Sequence, residues 1–195
     1  MKGISPMDKN LNTIVGVRAG TDVASNDEDT QLYVDGEKVS LRESLKLRMH
    51  SPTGFNWGYG GSGPSQSALG ILQTFLRKRL KDCDDIISGF ATPMNEVWVK
   101  WADCESRVIE FTIQVDYAIP RVQNFPTGLI AADAIACLLY QQFKFDKVAG
   151  YPQTSGFTDK LDLWEWIEGS LAVELARAGF DLSIRYRERP EEVHS

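Results

Sequence analysis

The passage that most constrains this chain runs from His50 to Gln66, HSPTGFNWGYGGSGPSQ, and leads without a break into an apolar helical pattern, SALGILQTFL. Gly54, Gly58, Gly60, Gly61 and Gly63 are interleaved there with Phe55, Trp57 and Tyr59, and Pro64 closes the run. Glycine admits positive φ and lets the backbone approach another surface closely, so such a run opening a helix marks a special turn. The predicted helix start is Ser62 or Gly63 as N-cap with Pro64 at N1, where the missing N–H costs nothing. Helix N-termini carry unpaired amides and a partial positive charge, which together favour phosphate or carboxylate. The predicted ligand-binding set is therefore Trp57, Gly58, Tyr59, Gly60, Gly61, Ser62, Gly63, Ser65 and Gln66, with Trp57 or Tyr59 stacking on a base if the anion is a nucleotide. A tight structural turn whose aromatics cap the core accounts for the same residues, and both readings stay open.

Two familiar phosphate loops are excluded. Gly58-Tyr59-Gly60-Gly61-Ser62-Gly63 spells G-x-G-x-x-G, but a dinucleotide fingerprint needs an apolar strand before it and an acidic residue ending a second strand. SPTGFNW is a poor strand, and Asp82, Asp84 and Asp85 follow a helix. A Walker loop fails because no Gly-Lys-Ser/Thr follows.

Charge argues against nucleic acid as the partner. The net charge is −6, with acids bunched at Asp22, Asp27, Glu28 and Asp29, whereas phosphate-backbone binding wants a basic stripe. The basic cluster Arg77, Lys78, Arg79 and Lys81 closes the predicted helix, where macrodipole compensation and solvation explain it. Cys83, Cys104 and Cys137 lie 21 and 33 residues apart, which reads as reduced thiols in a cytoplasmic protein. His50 and His194 are the only histidines, so no metal site and no cofactor is expected. No apolar stretch approaches the length of a signal core or a membrane span.

The 195 residues fit a single domain. Thr13 to Arg18 reads as a first strand, and 20–30 as a solvated acidic loop. Two short strands flank Asp35-Gly36, the preferred type I′ hairpin loop. Leu41 to Met49 fits neither a strand nor a helix cleanly. From Pro64, apolar residues recur at three and four, giving one helix with a core-facing stripe. Val97 to Trp101 and Arg107 to Val115 are β-branched and aromatic and read as a ribbon, in which Trp98 would make a partner contact if it projects. Gly128 to Phe143, capped by Thr127, is apolar nearly all round and should be a central helix. Asp133, the one acid within it, must find a partner or reach solvent. Thr158 is predicted to cap a last helix with a stripe of Leu161, Trp164, Ile167 and Leu171, stopped at Gly179 and followed by a strand from Phe180 to Arg187. The expected class is α+β: a mostly antiparallel sheet with three main helices packed against it.

His50-Ser51-Pro52, Gly54-Phe55, Trp57-Gly58-Tyr59-Gly60-Gly61-Ser62-Gly63-Pro64 and Gln66-x-Ala68-Leu69 resemble the signature of an uncharacterised domain family of bacteria, archaea and their phages and plasmids. Tyr33-Val34-Asp35-Gly36 with Ser44 upstream, and Tyr140-Gln141-x-Phe143-Lys144 with Val148-Ala149-x-x-Pro152 and Trp164 downstream, are similar to its opening hairpin and closing helical segment. The resemblance implies a shared fold and a shared loop, with no activity attached. It also implies that 82–127 is an insertion carrying a β-hairpin within the single domain 1–195.

Three functions fit these residues. The first is a non-catalytic binding protein whose glycine loop holds an anionic small molecule, such as a nucleotide; one concrete form is a mobile-element protein that sequesters a host defence signal. The second is a protein-interaction or inhibitor module acting through its acidic surface and inserted ribbon. The third is a small hydrolase with His50 as base, Ser51 or Ser62 as nucleophile and Asp133 as orienter. Homo-oligomerisation stays open.

Overall fold

The computed structural model describes residues 11–18, 30–81, 87–91, 96–102, 107–114, 127–177 and 183–186. Its first sheet starts from β1 (Asn12–Arg18), which pairs antiparallel with β2 (Thr30–Val34), and β2 turns back into the two-residue β3 (Glu37–Lys38). Asp35 and Gly36, at φ 49° and 77°, supply the paired left-handed residues that a type I′ loop requires. The Asp35 carboxylate then accepts from the Thr13 amide and from Asn12 Nδ2, both at 2.8 Å, which ties the hairpin tip to β1. Ile14, Leu32 and Val34 point inward from the two strands.

The ambiguous stretch after the hairpin is a short helix, α1 (Leu41–Leu47), whose N-cap Ser40 accepts from the Glu43 amide. The glycine passage then leads to α2 (Ser62–Leu80), which begins earlier than expected: Gly61 is the N-cap without a side-chain hydrogen bond, and Pro64 is the third helical residue. Pro64 is tolerated there because the amides of the first turn have no intrahelical acceptor anyway. The expected single stripe also proves too narrow. Ser65, Gln66, Ser67 and Gln73 are buried along with the apolar residues, because α2 is enclosed by β2, α1 and the third helix.

That helix, α3 (Thr127–Asp146), is apolar on most faces because it is covered on several sides. It runs antiparallel to α2: Gly128 meets Leu80, Asp133 meets Arg77, and Lys144 meets Ser65. A Cβ on Gly128 would fall 2.1 Å from the Leu80 carbonyl oxygen, so glycine is what allows the helices this close at that end.

A second sheet, ordered β4-β5-β6-β8, packs against α3. Its strands are β4 (Ile87–Ala91), β5 (Glu96–Ala102), β6 (Arg107–Gln114) and β8 (Ser183–Tyr186), every neighbour antiparallel. The predicted ribbon is thus β5 with β6, extended on one side by β4 and on the other by the C-terminal strand. The side chain of Trp98, the acidic loop 20–29, Cys83, Cys104, the stop at Gly179 and the tail 188–195 lie outside what is described. Cys137 is buried.

One element differs in kind from its expectation. Residues Phe157–Leu161 form β7, which pairs with β1 and closes the first sheet's order as β3-β2-β1-β7, rather than the first turn of the last helix. That helix, α4 (Leu163–Arg177), starts after Asp162, whose side chain accepts from the Glu165 amide in place of the predicted Thr158 cap. The architecture is α+β, with α2, α3 and α4 as the main helices and antiparallel strands throughout.

Candidate functional site

The glycine passage is fastened from below by the segment that follows α3. Trp57 is fully buried, and its indole nitrogen donates to the carbonyls of Pro152 at 3.0 Å and Ser155 at 3.1 Å. The Arg18 guanidinium lies 4.5 Å from the Trp57 ring centroid, and Phe157 meets that ring edge-on. A base therefore finds no open face on Trp57, which corrects its placement in the ligand set. Gly58, at φ 86°, donates to the Val148 carbonyl, and a Cβ there would fall 2.6 Å from Gln153 Cα. Its positive φ and its close approach both require glycine. Tyr59 folds back over the helix start: a Cβ on Gly61 would meet its ring at 2.3 Å, and one on Gly63 its hydroxyl at 2.7 Å. Most of the glycine spacing is thus accounted for by packing of the chain on itself.

Two other predicted contacts are internal. Gln66 is completely buried, with Oε1 accepting from the amides of His50 and Ser51 and Nε2 donating to Ser44 Oγ. Three of its four hydrogen-bonding positions go to pinning the entry of the loop, and its complete burial keeps it from a ligand. Ser65 Oγ donates to the Gly61 carbonyl. At the helix start itself, the Ser62 and Gly63 amides have no acceptor among the described residues; Ser62 is exposed and Gly63 is covered.

Sequence reasoning missed the residue that gives this helix end its character. Lys144, in the last turn of α3, is only 6% exposed and lays its ammonium between the Gly60 carbonyl oxygen at 3.4 Å and Ser65 Oγ at 3.3 Å. No carboxylate pairs with it among the described residues. Its position at a helix C-terminus gives partial compensation, but it faces the positive end of α2. Burial pushes its pKa below the ordinary lysine range. A lysine closing a helix ordinarily reads as a solvated complement to the dipole, so its type and position gave no warning.

His50 belongs to the same neighbourhood. Its Nε2 lies 2.9 Å from the Tyr140 hydroxyl, and the Arg48 guanidinium sits 5.6 Å from the Tyr140 ring centroid. Burial first, then the charges of Arg48 and Lys144, hold the His50 pKa below its usual value. Cationic groups therefore converge from the loop and from α3, and among the described residues no acid acts on His50.

The hydrolase arrangement is not assembled. Asp133 is taken up by Arg77, at 2.7 Å to Nε and 2.6 Å to Nη2, and by Gln73 at 3.0 Å. It lies about 10 Å of helix rise from Tyr140, the partner of His50. Ser62 is exposed at the helix start, and no histidine contact to it is present among the described residues. The recess lined by Thr30, Lys38, Ser40, Thr53 and Phe55, among others, takes in none of the predicted ligand residues.

Among the described residues, no helix is long and apolar enough to cross a membrane, and no group of three His, Cys, Asp or Glu is placed to hold a metal. No curated protein and no solved structure matches the chain. One family model does match, from within β1 through the glycine passage and α2 into β5, stopping short of α3 and Lys144. The model is that of DUF6166, a family of unknown function, and it matches residues 16–99.

Proposed function

We propose that the chain is an anion-binding protein and that the anion is received where α2 begins. The observation that carries this reading is the buried Lys144 ammonium, lacking a carboxylate partner among the described residues and bonded to Gly60 and Ser65, the residues that bracket the Ser62 and Gly63 amides in the chain. Placing a cation against the positive end of a helix of 19 residues is unfavourable unless negative charge arrives from elsewhere. Arg48 adds positive potential from the loop side, felt at His50. The role of Gly58 to Gly63 is then to bring the backbone into place, with contact limited to Gly60 and the amide of the exposed Ser62. Binding rather than catalysis is favoured because His50, Ser62 and Asp133 have separate partners or none in common.

Calorimetric titration with inorganic phosphate and pyrophosphate tests the reading. Wild-type protein is expected to bind at least one of them, and Lys144→Met to bind it at least about tenfold more weakly, the loss of one charge-assisted contact. Heat-silent titrations of the wild type with both anions would overturn the proposal.

His50 provides an independent readout. A bound anion offsets the repulsion from Arg48 and Lys144, so the His50 pKa should rise on saturation with pyrophosphate, followed through its ring C–H resonance. An unchanged or lowered pKa would place the anion elsewhere. Without ligand, the depressed pKa means the unfolded state takes up the proton more readily. Stability is accordingly full above the unfolded histidine value, about 6.5, and declines as pH falls through the lower folded value.

A further inference from the structure

Phe145 follows Lys144 directly and is 65% exposed, although it is a large aromatic at the end of a mostly buried helix. Its ring lies 4.1 Å from the Lys144 ammonium, measured to the centroid, and its edge would sit 3.8 Å from a Cβ on Gly60. The cation and the glycine backbone thus hold the ring in place while most of its surface stays in water. Trp57, by contrast, is enclosed, and Tyr59 is folded over Gly61 and Gly63.

Resting on the anion-binding reading above, we infer that Phe145 is the stacking platform of the site. The ligand is then a planar aromatic group joined by a short link to an anionic group, the chemistry of a nucleoside monophosphate. The aromatic group lies on the open surface of Phe145 and the anion reaches past Gly60 to Lys144 and the Ser62 amide. Aromatic faces accept any base, so the platform sets affinity for a class rather than for one base. Inorganic phosphate alone would use only half of the site.

Affinities for adenosine 5′-monophosphate, ribose 5-phosphate and inorganic phosphate, measured by calorimetry on the full chain, test this. Wild-type protein is expected to bind adenosine 5′-monophosphate about tenfold more tightly than ribose 5-phosphate, the contribution of one stacked base. Phe145→Ala should shrink that ratio to about twofold or less, and Phe145→Tyr should keep it. Because the side chain is mostly exposed, neither substitution disturbs the core. Equal binding of the two phosphates by wild type, or a ratio that survives in Phe145→Ala, would overturn the stacking assignment and leave the anion reading standing. Failure of all three probes to bind the wild type would overturn both.

Discussion

Replacing Arg77 by methionine is expected to destabilise the protein by about 3–5 kcal/mol, the cost of stranding a buried charge. Arg77 reaches from α2 to Asp133 on α3 with two charge-assisted bonds, and to Glu43 on α1 with a third at 3.2 Å. Asp133 is 3% exposed, and without the guanidinium it would keep only the Gln73 amide. Denaturant unfolding should show this as a lower midpoint with an unchanged slope. The double replacement Arg77→Met with Asp133→Leu should recover most of the loss, because an apolar pair of similar volume removes the uncompensated carboxylate. A loss below about 1 kcal/mol in Arg77→Met would mean that the ion pair behaves as a surface contact.

The second large effect is expected at Trp57. Trp57→Ala should destabilise by about 3–5 kcal/mol, since it opens a cavity beneath the glycine passage. It also frees the Pro152 and Ser155 carbonyls and removes the surface under Arg18. Trp57→Phe keeps much of the volume but loses both hydrogen bonds, so an intermediate loss of about 1–2 kcal/mol is expected. Urea unfolding measures both. A Trp57→Phe variant as damaged as Trp57→Ala would show that the indole N–H, and not the packing, secures the 152–155 segment.

These two residues also show how far the sequence could be read. Hairpin and helices were legible where the determinants are local: Asp35-Gly36 for the turn, the recurrence of apolar residues for α2, the nearly unbroken apolar run for α3. Residues Phe157–Leu161 were misread because Thr158 and Leu161 are spaced like a cap and the first residue of a stripe. What makes them a strand is the edge of β1, which is distant in sequence. Gln66 and Trp57 lie beside the helix start in sequence, but their side chains turn into the protein, a choice made by Ser44, His50, Pro152 and Ser155. The roles proposed for Lys144 and Phe145 were not legible for the converse reason. Only the antiparallel packing of α3 on α2 brings the end of one helix to the beginning of the other.

On the proposed reading the Lys144 charge is kept for an anion from outside and is not a strut of the fold. The unfolding free energy of Lys144→Met in anion-free buffer tests it most directly. Methionine fills similar space without a buried ammonium, so the account predicts a variant as stable as the wild type or more so, with weakened phosphate binding. A loss of about 1.5–3 kcal/mol, the worth of charged hydrogen bonds to Gly60 and Ser65, would make Lys144 a structural clamp and contradict the account.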